Sequence, residues 1–139
     1  ISVLRSPRTA VHVVTLLEEM PIQEAVDGIA ELTEARIPVG SVIVNMTQPR
    51  ELATVPSRDE LVAALGAAGL AGARADDAVI DALLTEGREY VAREQLEDRE
   101  RALLASLDEP LIELAYQSEG IDLGALFELA RELRRQGLS

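Results

Sequence analysis

No cysteine and no tryptophan occur in the 139 residues, and there is a single histidine, His12. Without cysteine there are no disulfides, no thiolate zinc sites and no cysteine nucleophiles. One histidine is too few for a conventional metal cluster, so neither a metal site nor catalytic residues are expected. Aromatic residues are scarce, only Tyr90, Tyr116 and Phe127, so the core has to be aliphatic. Positive charge is short as well: 13 Lys plus Arg face 25 Asp plus Glu, for a net charge of −12. A nucleic-acid backbone or an anionic membrane surface calls for a basic face, so neither partner is expected. One bound nucleotide stays open, because its phosphates can sit on backbone amides at a helix start. No apolar run reaches about 18 residues, and no signal peptide is visible. Membrane insertion is therefore not expected, and the cytoplasm is the default location. Phosphate-gripping glycine loops are missing too. Neither G-x-x-x-x-G-K-[ST] nor G-x-G-x-x-G occurs, and "LGAAGLAG" at 65–72 lacks lysine and follows a helix rather than a strand.

What is present is one domain's length with 47% hydrophobic residues, enough to bury a core. The opening "ISVLRSPRTAV" has no initiator methionine and starts as if within an element, which suggests a fragment of something longer. Residues 9–16, "TAVHVVTL", form a β-branched run, apolar on both faces apart from His12, as in a parallel strand covered on both sides. In "MPIQEAVDGIAELTEAR", Pro21 suits the first helical position, and Ile22, Ala25, Val26, Ile29 and Leu32 recur at helical spacing. Residues 37–40, "IPVG", end that helix, and Ser41–Met46 reads as a second buried strand. Strand, helix and strand make a right-handed βαβ unit over residues 1–47.

A loop with Pro49 and Pro56 follows. Ser57 and Glu60 have capping-box spacing before a helix from Arg58 to Ala68, which Gly69 and Gly72 stop. Asp76 can cap a helix reaching about Leu107. Glu89, Arg93, Glu97 and Arg101 alternate in sign along it at a spacing of four, as on a solvated face or a subunit contact. Residues 57–108 thus read as a helical insertion. "LIELAYQ" at 111–117 reads as a third strand broken by Gly120. Asp122 then caps a last helix, Leu123 to Arg135, with Leu123, Leu126, Phe127, Ala130 and Leu133 on its inner face. Residues 111–136 close an α/β chain of three parallel strands with flanking helices.

In open parallel sheets ligands bind beyond the carboxyl ends of the strands. The three tips are Leu17-Glu18-Glu19, Asn45-Met46-Thr47 and Ala115-Tyr116-Gln117. Asn45 is the sharpest candidate, since a primary amide offers the donor and acceptor that match the N6 and N7 edge of adenine. The alternative is a turn-forming asparagine bonded to its own loop. Glu18 and Glu19 suit a helix start better than acid–base chemistry. His12, away from any tip, reads as a hydrogen-bonded, partly buried imidazole. The Ala/Leu stripe of 58–68 reads as core, with a client-binding wall as the alternative.

The run from Ser6 to Met46, with its Thr9-led strand, Glu18-Glu19, Glu24 and terminal Val44-Asn45, resembles the ArsA-type ATPases of arsenite pumping and tail-anchored-protein targeting. Glu113–Leu133 is similar to that family's last strand and helix, and 58–107 matches poorly. The resemblance implies the C-terminal portion of a P-loop NTPase-like sheet, lacking the Walker A region. It implies that Asn45 and Met46, with Ala115 and Tyr116, lie beside adenine. Family members carry a proline where Ala115 stands, and a Cys-x-x-Cys zinc clasp that this chain cannot form, so no zinc is expected. ATP and Mg²⁺ belong to a full-length parent, a homo- or hetero-dimeric ATPase with a possible protein client. This chain alone is expected to be inactive. The other reading is a non-catalytic α/β module that docks a partner through helices 58–107.

Overall fold

In the computed structural model, residues 3–70 and 76–138 are described. Gly72, expected to help stop a helix, lies outside them. The order is β1 (Val11–Thr15), α1 (Glu19–Glu34), β2 (Val39–Thr47), α2 (Arg58–Ala67), α3 (Asp77–Ala105), β3 (Leu111–Ala115) and α4 (Leu123–Arg135). The three strands form one parallel sheet in the order β1-β2-β3. The chain is therefore α/β, as its pattern implies. Residues 1–49 with 97–139 form one compact unit, and residues 50–96 form another.

The sheet unit is built on the two-residue alternation of β2. Val42 and Val44 enter one core with Leu17 of the β1–α1 joint, Ile22 and Ile29 of α1, and Leu104 of α3. Ile43, between them, points to the other face, where Ile112 and Leu114 of β3 meet Leu129 and Leu133 of α4. β1 has only one covered side. Val13 packs against the first core, whereas Val14 is 63% exposed and His12 is exposed. The expectation of a strand covered on both sides, with a partly buried imidazole, is thereby corrected. α4 packs on β3, and no described helix covers the second side of β1. His12 instead lies over Gly40, where a Cβ would fall 2.6 Å from the ring's Cε1.

Local boundaries follow their chemistry. α1 starts two residues before Pro21, which is tolerated because first-turn N–H groups have no helical acceptor. It ends in a Schellman turn: Ile37 N–H donates to the Leu32 carbonyl at 2.9 Å, with Arg36 left-handed at φ 58°. β2 begins at Val39, two residues before the expected start, because Val11 N–H already donates to the Pro38 carbonyl at 2.8 Å. β3 ends at Ala115, short of the expected Gln117. Asp122 caps α4 by accepting from Ala125 N–H at 2.8 Å. On α4 the expected inner face holds only at Leu133. Leu123, Leu126, Phe127 and Ala130 are exposed, and Leu129 and Leu133 meet the sheet. The apolar arc of α4 is wider than the strand it covers.

Taken alone, residues 50–96 form a small helical unit with Ile80 and Leu84 buried. Ser57 and Glu60 form the expected capping box at the start of α2. Arg58 of α2 bridges Asp77 and Asp81 of α3, and Arg50 pairs with Glu94 at 3.1 Å. Glu51 N–H donates to the Tyr90 hydroxyl at 3.0 Å. α2 buries none of its residues, so its stripe is not the core expected of it.

Candidate functional site

The carboxyl rim of the sheet is made where β2 and β3 end side by side. Their ladder runs Val42–Leu111, Ile43–Ile112 and Val44–Glu113, then resumes at Thr47–Ala115. Tyr116 N–H donates to the Thr47 carbonyl at 2.9 Å, and Thr47 Oγ1 donates to the Leu114 carbonyl at 3.2 Å. These bonds hold the two tips together beyond the last regular pair.

Above them lies a hollow of about 360 Å³, lined by Asn45, Met46, Ala115 and Tyr116, with Ile121 and Leu129 behind. The four residues singled out from the strand tips thus share one hollow. Its size falls within the range of about 300–1,000 Å³ common for small-molecule sites. The Asn45 side chain is partly buried, and among the described residues no hydrogen bond to it is found. Its amide is therefore not spent on its own turn. Met46 and Tyr116 are each about half exposed, so both offer an apolar surface to the hollow.

A second hollow of about 430 Å³ adjoins it, sharing Tyr116, Gln117 and Gly120. Glu119, Asp122 and Glu128 make this neighbour acidic, which disfavours phosphate on that side. The third tip residues, Leu17-Glu18-Glu19, are not among those lining either hollow. Leu17 is core, and Glu18 is the N-cap of α1 without a side-chain cap bond. Ile121 and Leu129 were missed from sequence. The stripe of α4 that places Leu129 differs from the one the hydrophobic spacing favours.

Below the rim, β3 is held from both flanks. Arg101 of α3 forks onto Glu113, with Nε to Oε1 at 2.7 Å and Nη2 to Oε2 at 3.2 Å. This pairing raises the Arg101 pKa, so the cation is permanent at any working pH. Among the described residues no three His, Asp or Glu side chains converge to hold a metal ion. No described helix is long and apolar enough to cross a membrane. The sequence contains no lysine at all: every one of its 13 basic residues is arginine. A lysine-bearing phosphate loop cannot come from these residues.

The fold and rim define an α/β chain with a parallel sheet whose carboxyl end carries a small, largely apolar hollow beside the Asn45 amide. Among known proteins it is similar to ATPase BagA of Mycobacterium tuberculosis and to a Mycobacterium bovis protein named "Putative ATPase Mb3704". The identity is 39% to each over 145 aligned positions, covering 99% of this chain. The chain spans 42% of the length of these relatives. No protein-family model matches it.

Proposed function

We propose that the hollow at the β2 and β3 tips is the adenine seat of an ATP-binding site, and that the chain is the adenine-side part of an ArsA-type ATPase. One observation carries the reading: Asn45, Met46, Ala115 and Tyr116, at the tips of neighbouring parallel strands, line one hollow, where the Asn45 amide has no hydrogen bond among the described residues. Its oxygen would accept from adenine N6 and its nitrogen would donate to N7. Guanine presents two acceptors on the same edge and cannot satisfy both amide atoms. The Tyr116 ring would stack on the base. The relatives' being named ATPases supports an ATPase role.

Phosphoryl transfer also needs a phosphate cradle, Mg²⁺ and a positioned water. The relatives are more than twice as long, and in this reading those groups lie in a P-loop half outside these residues, in a dimeric cytoplasmic assembly. β1 is an outer strand of the described sheet, and its edge away from β2 is where further strands would add. The chain alone then does not hydrolyse ATP, and turnover by pure chain at a rate above buffer would refute that. The direct test is adenosine binding to the chain, followed by amide chemical shifts. Adenosine should perturb Tyr116 and Thr47, guanosine should do so far less, and Asn45→Ala should abolish the difference. Equal response to both nucleosides would defeat the reading.

A second reading rests on α2, which buries no residue and is uncharged from Leu61 to its end, with Val62 exposed. A non-catalytic module would dock an apolar partner segment there. Val62→Asp would abolish such docking while leaving the adenosine response unchanged.

A further inference from the structure

Between Val44 and Thr47, β2 takes three steps while β3 takes two, from Glu113 to Ala115. The surplus residue falls at Asn45–Met46, and Met46 has a left-handed backbone, φ 60°. That conformation is disfavoured for any residue with a Cβ, so the surrounding bonds must impose it. They do so from β3, through Tyr116 N–H to the Thr47 carbonyl and Thr47 Oγ1 to the Leu114 carbonyl. In a regular strand, successive side chains point to opposite faces. Here Asn45 and Met46 are consecutive, and both line the same hollow.

We propose that this bulge is the positioning device of the base seat. It aims both side chains of the surplus pair, the Asn45 amide and the Met46 thioether, into one hollow, so that Met46 and Tyr116 enclose the flat faces of a purine while the amide reads its edge. Bulges re-aim side chains in this way, and sulfur and aromatic rings attract one another. The inference rests on the nucleotide reading above.

Three variants of the chain, titrated with adenosine and followed by amide chemical shifts, test it. Met46→Gly removes the thioether but suits the left-handed backbone, so it keeps the bulge. Adenosine should bind about two- to tenfold more weakly, the factor of one sulfur–ring contact. Deletion of Met46 lets Thr47 follow Asn45 in unbroken register. It should lose about a further three- to tenfold, as for one misaimed hydrogen-bonding group. Should the deletion fail to fold, Met46→Val serves instead, since a β-branched residue resists φ near 60°. Deletion or Val variants that bind adenosine as tightly as Met46→Gly would overturn the proposal and leave the Asn45 reading standing. Failure of the unaltered chain to bind adenosine would instead remove the nucleotide reading itself.

Discussion

Gln136 occupies the outer edge of β3 by meeting both backbone groups of Glu113. Its Nε2 donates to the Glu113 carbonyl at 2.7 Å, and its Oε1 accepts the Glu113 N–H at 2.9 Å. A side-chain amide thus stands where a neighbouring strand would pair. It is delivered by the end of α4, where Gly137 at φ 102° lets Leu138 N–H return to the Leu133 carbonyl at 3.0 Å. An edge strand with free N–H and C=O groups invites association, and this one is blocked.

Gln136→Ala should therefore do two things. Losing both bonds to Glu113, and a third from Nε2 to the Glu132 carboxylate, should destabilise the sheet unit by about 1–3 kcal/mol. The freed β3 edge should also raise the weight-average mass at high concentration. Chemical denaturation and sedimentation velocity check the pair. A less stable variant with unchanged mass would mean that the amide supports α4 without guarding the edge.

The Arg101 fork on Glu113 is about a third exposed on each side, so its worth is moderated by solvent. Arg101→Met, which keeps the apolar stem, should cost about 1 kcal/mol, and less at high salt. Arg101→Lys should restore only part, because an ammonium cannot make the two-pronged contact. Denaturation curves at low and high ionic strength report both effects.

The capping box makes α2 sensitive to acid. Glu60 Oε2 accepts from Ser57 N–H at 2.8 Å and from Ser57 Oγ at 2.8 Å. The backbone bond first, and the hydroxyl second, hold the Glu60 carboxyl below its ordinary 4.5. A carboxylate depressed on folding contributes its stabilisation fully above the unfolded value, and loses it as pH falls through the folded one. The protection factor of the Leu61 amide, its exchange rate corrected for the intrinsic rate at each pH, should therefore fall below pH 4.5. Glu60→Gln should flatten that acid limb, and an unchanged limb would discount the box.

Packing predicts a contrast between two leucines. Leu104 is 1% exposed among Ile22, Val42 and Val44, so Leu104→Ala should cost about 2–5 kcal/mol. Leu126, on the uncovered side of α4, is 52% exposed, and Leu126→Ala should stay within about 0.5 kcal/mol. Equilibrium unfolding of both variants reads the difference.

Gly40 is the place where β2 passes under the His12 ring. A methyl there would lie 2.6 Å from His12 Cε1 and 3.1 Å from Ala10 Cβ. The exposed ring can swing aside, whereas the Ala10 methyl is fixed to backbone. Gly40→Ala should cost about 1–3 kcal/mol. Combining it with His12→Ala should recover part of that, as a double-mutant cycle would show.

Much of this chain was legible before folding. The buried strand β2, the Ser57–Glu60 box and the Asp122 cap are local, since an apolar run or a cap needs only neighbours a few residues away. The strand tips were legible for the same reason: where a β-branched run ends, Asn45-Met46 and Ala115-Tyr116 follow. Harder to read was α4, which offers two overlapping apolar stripes. Only the strands beneath it, β3 together with Ile43 of β2, select Leu129 and Leu133 over Leu126 and Phe127.

By itself, then, the amino-acid order determined which segments coil, which extend, and that no lysine or thiol chemistry is available here. Tertiary structure alone decided that β3 lies next to β2, that one surplus residue kinks the rim at Met46, and that Gln136 seals one edge while β1 keeps an exposed side. Those outcomes depend on registers between segments dozens of residues apart, and a one-residue slip in such a register changes which side chain faces which neighbour without altering any local preference.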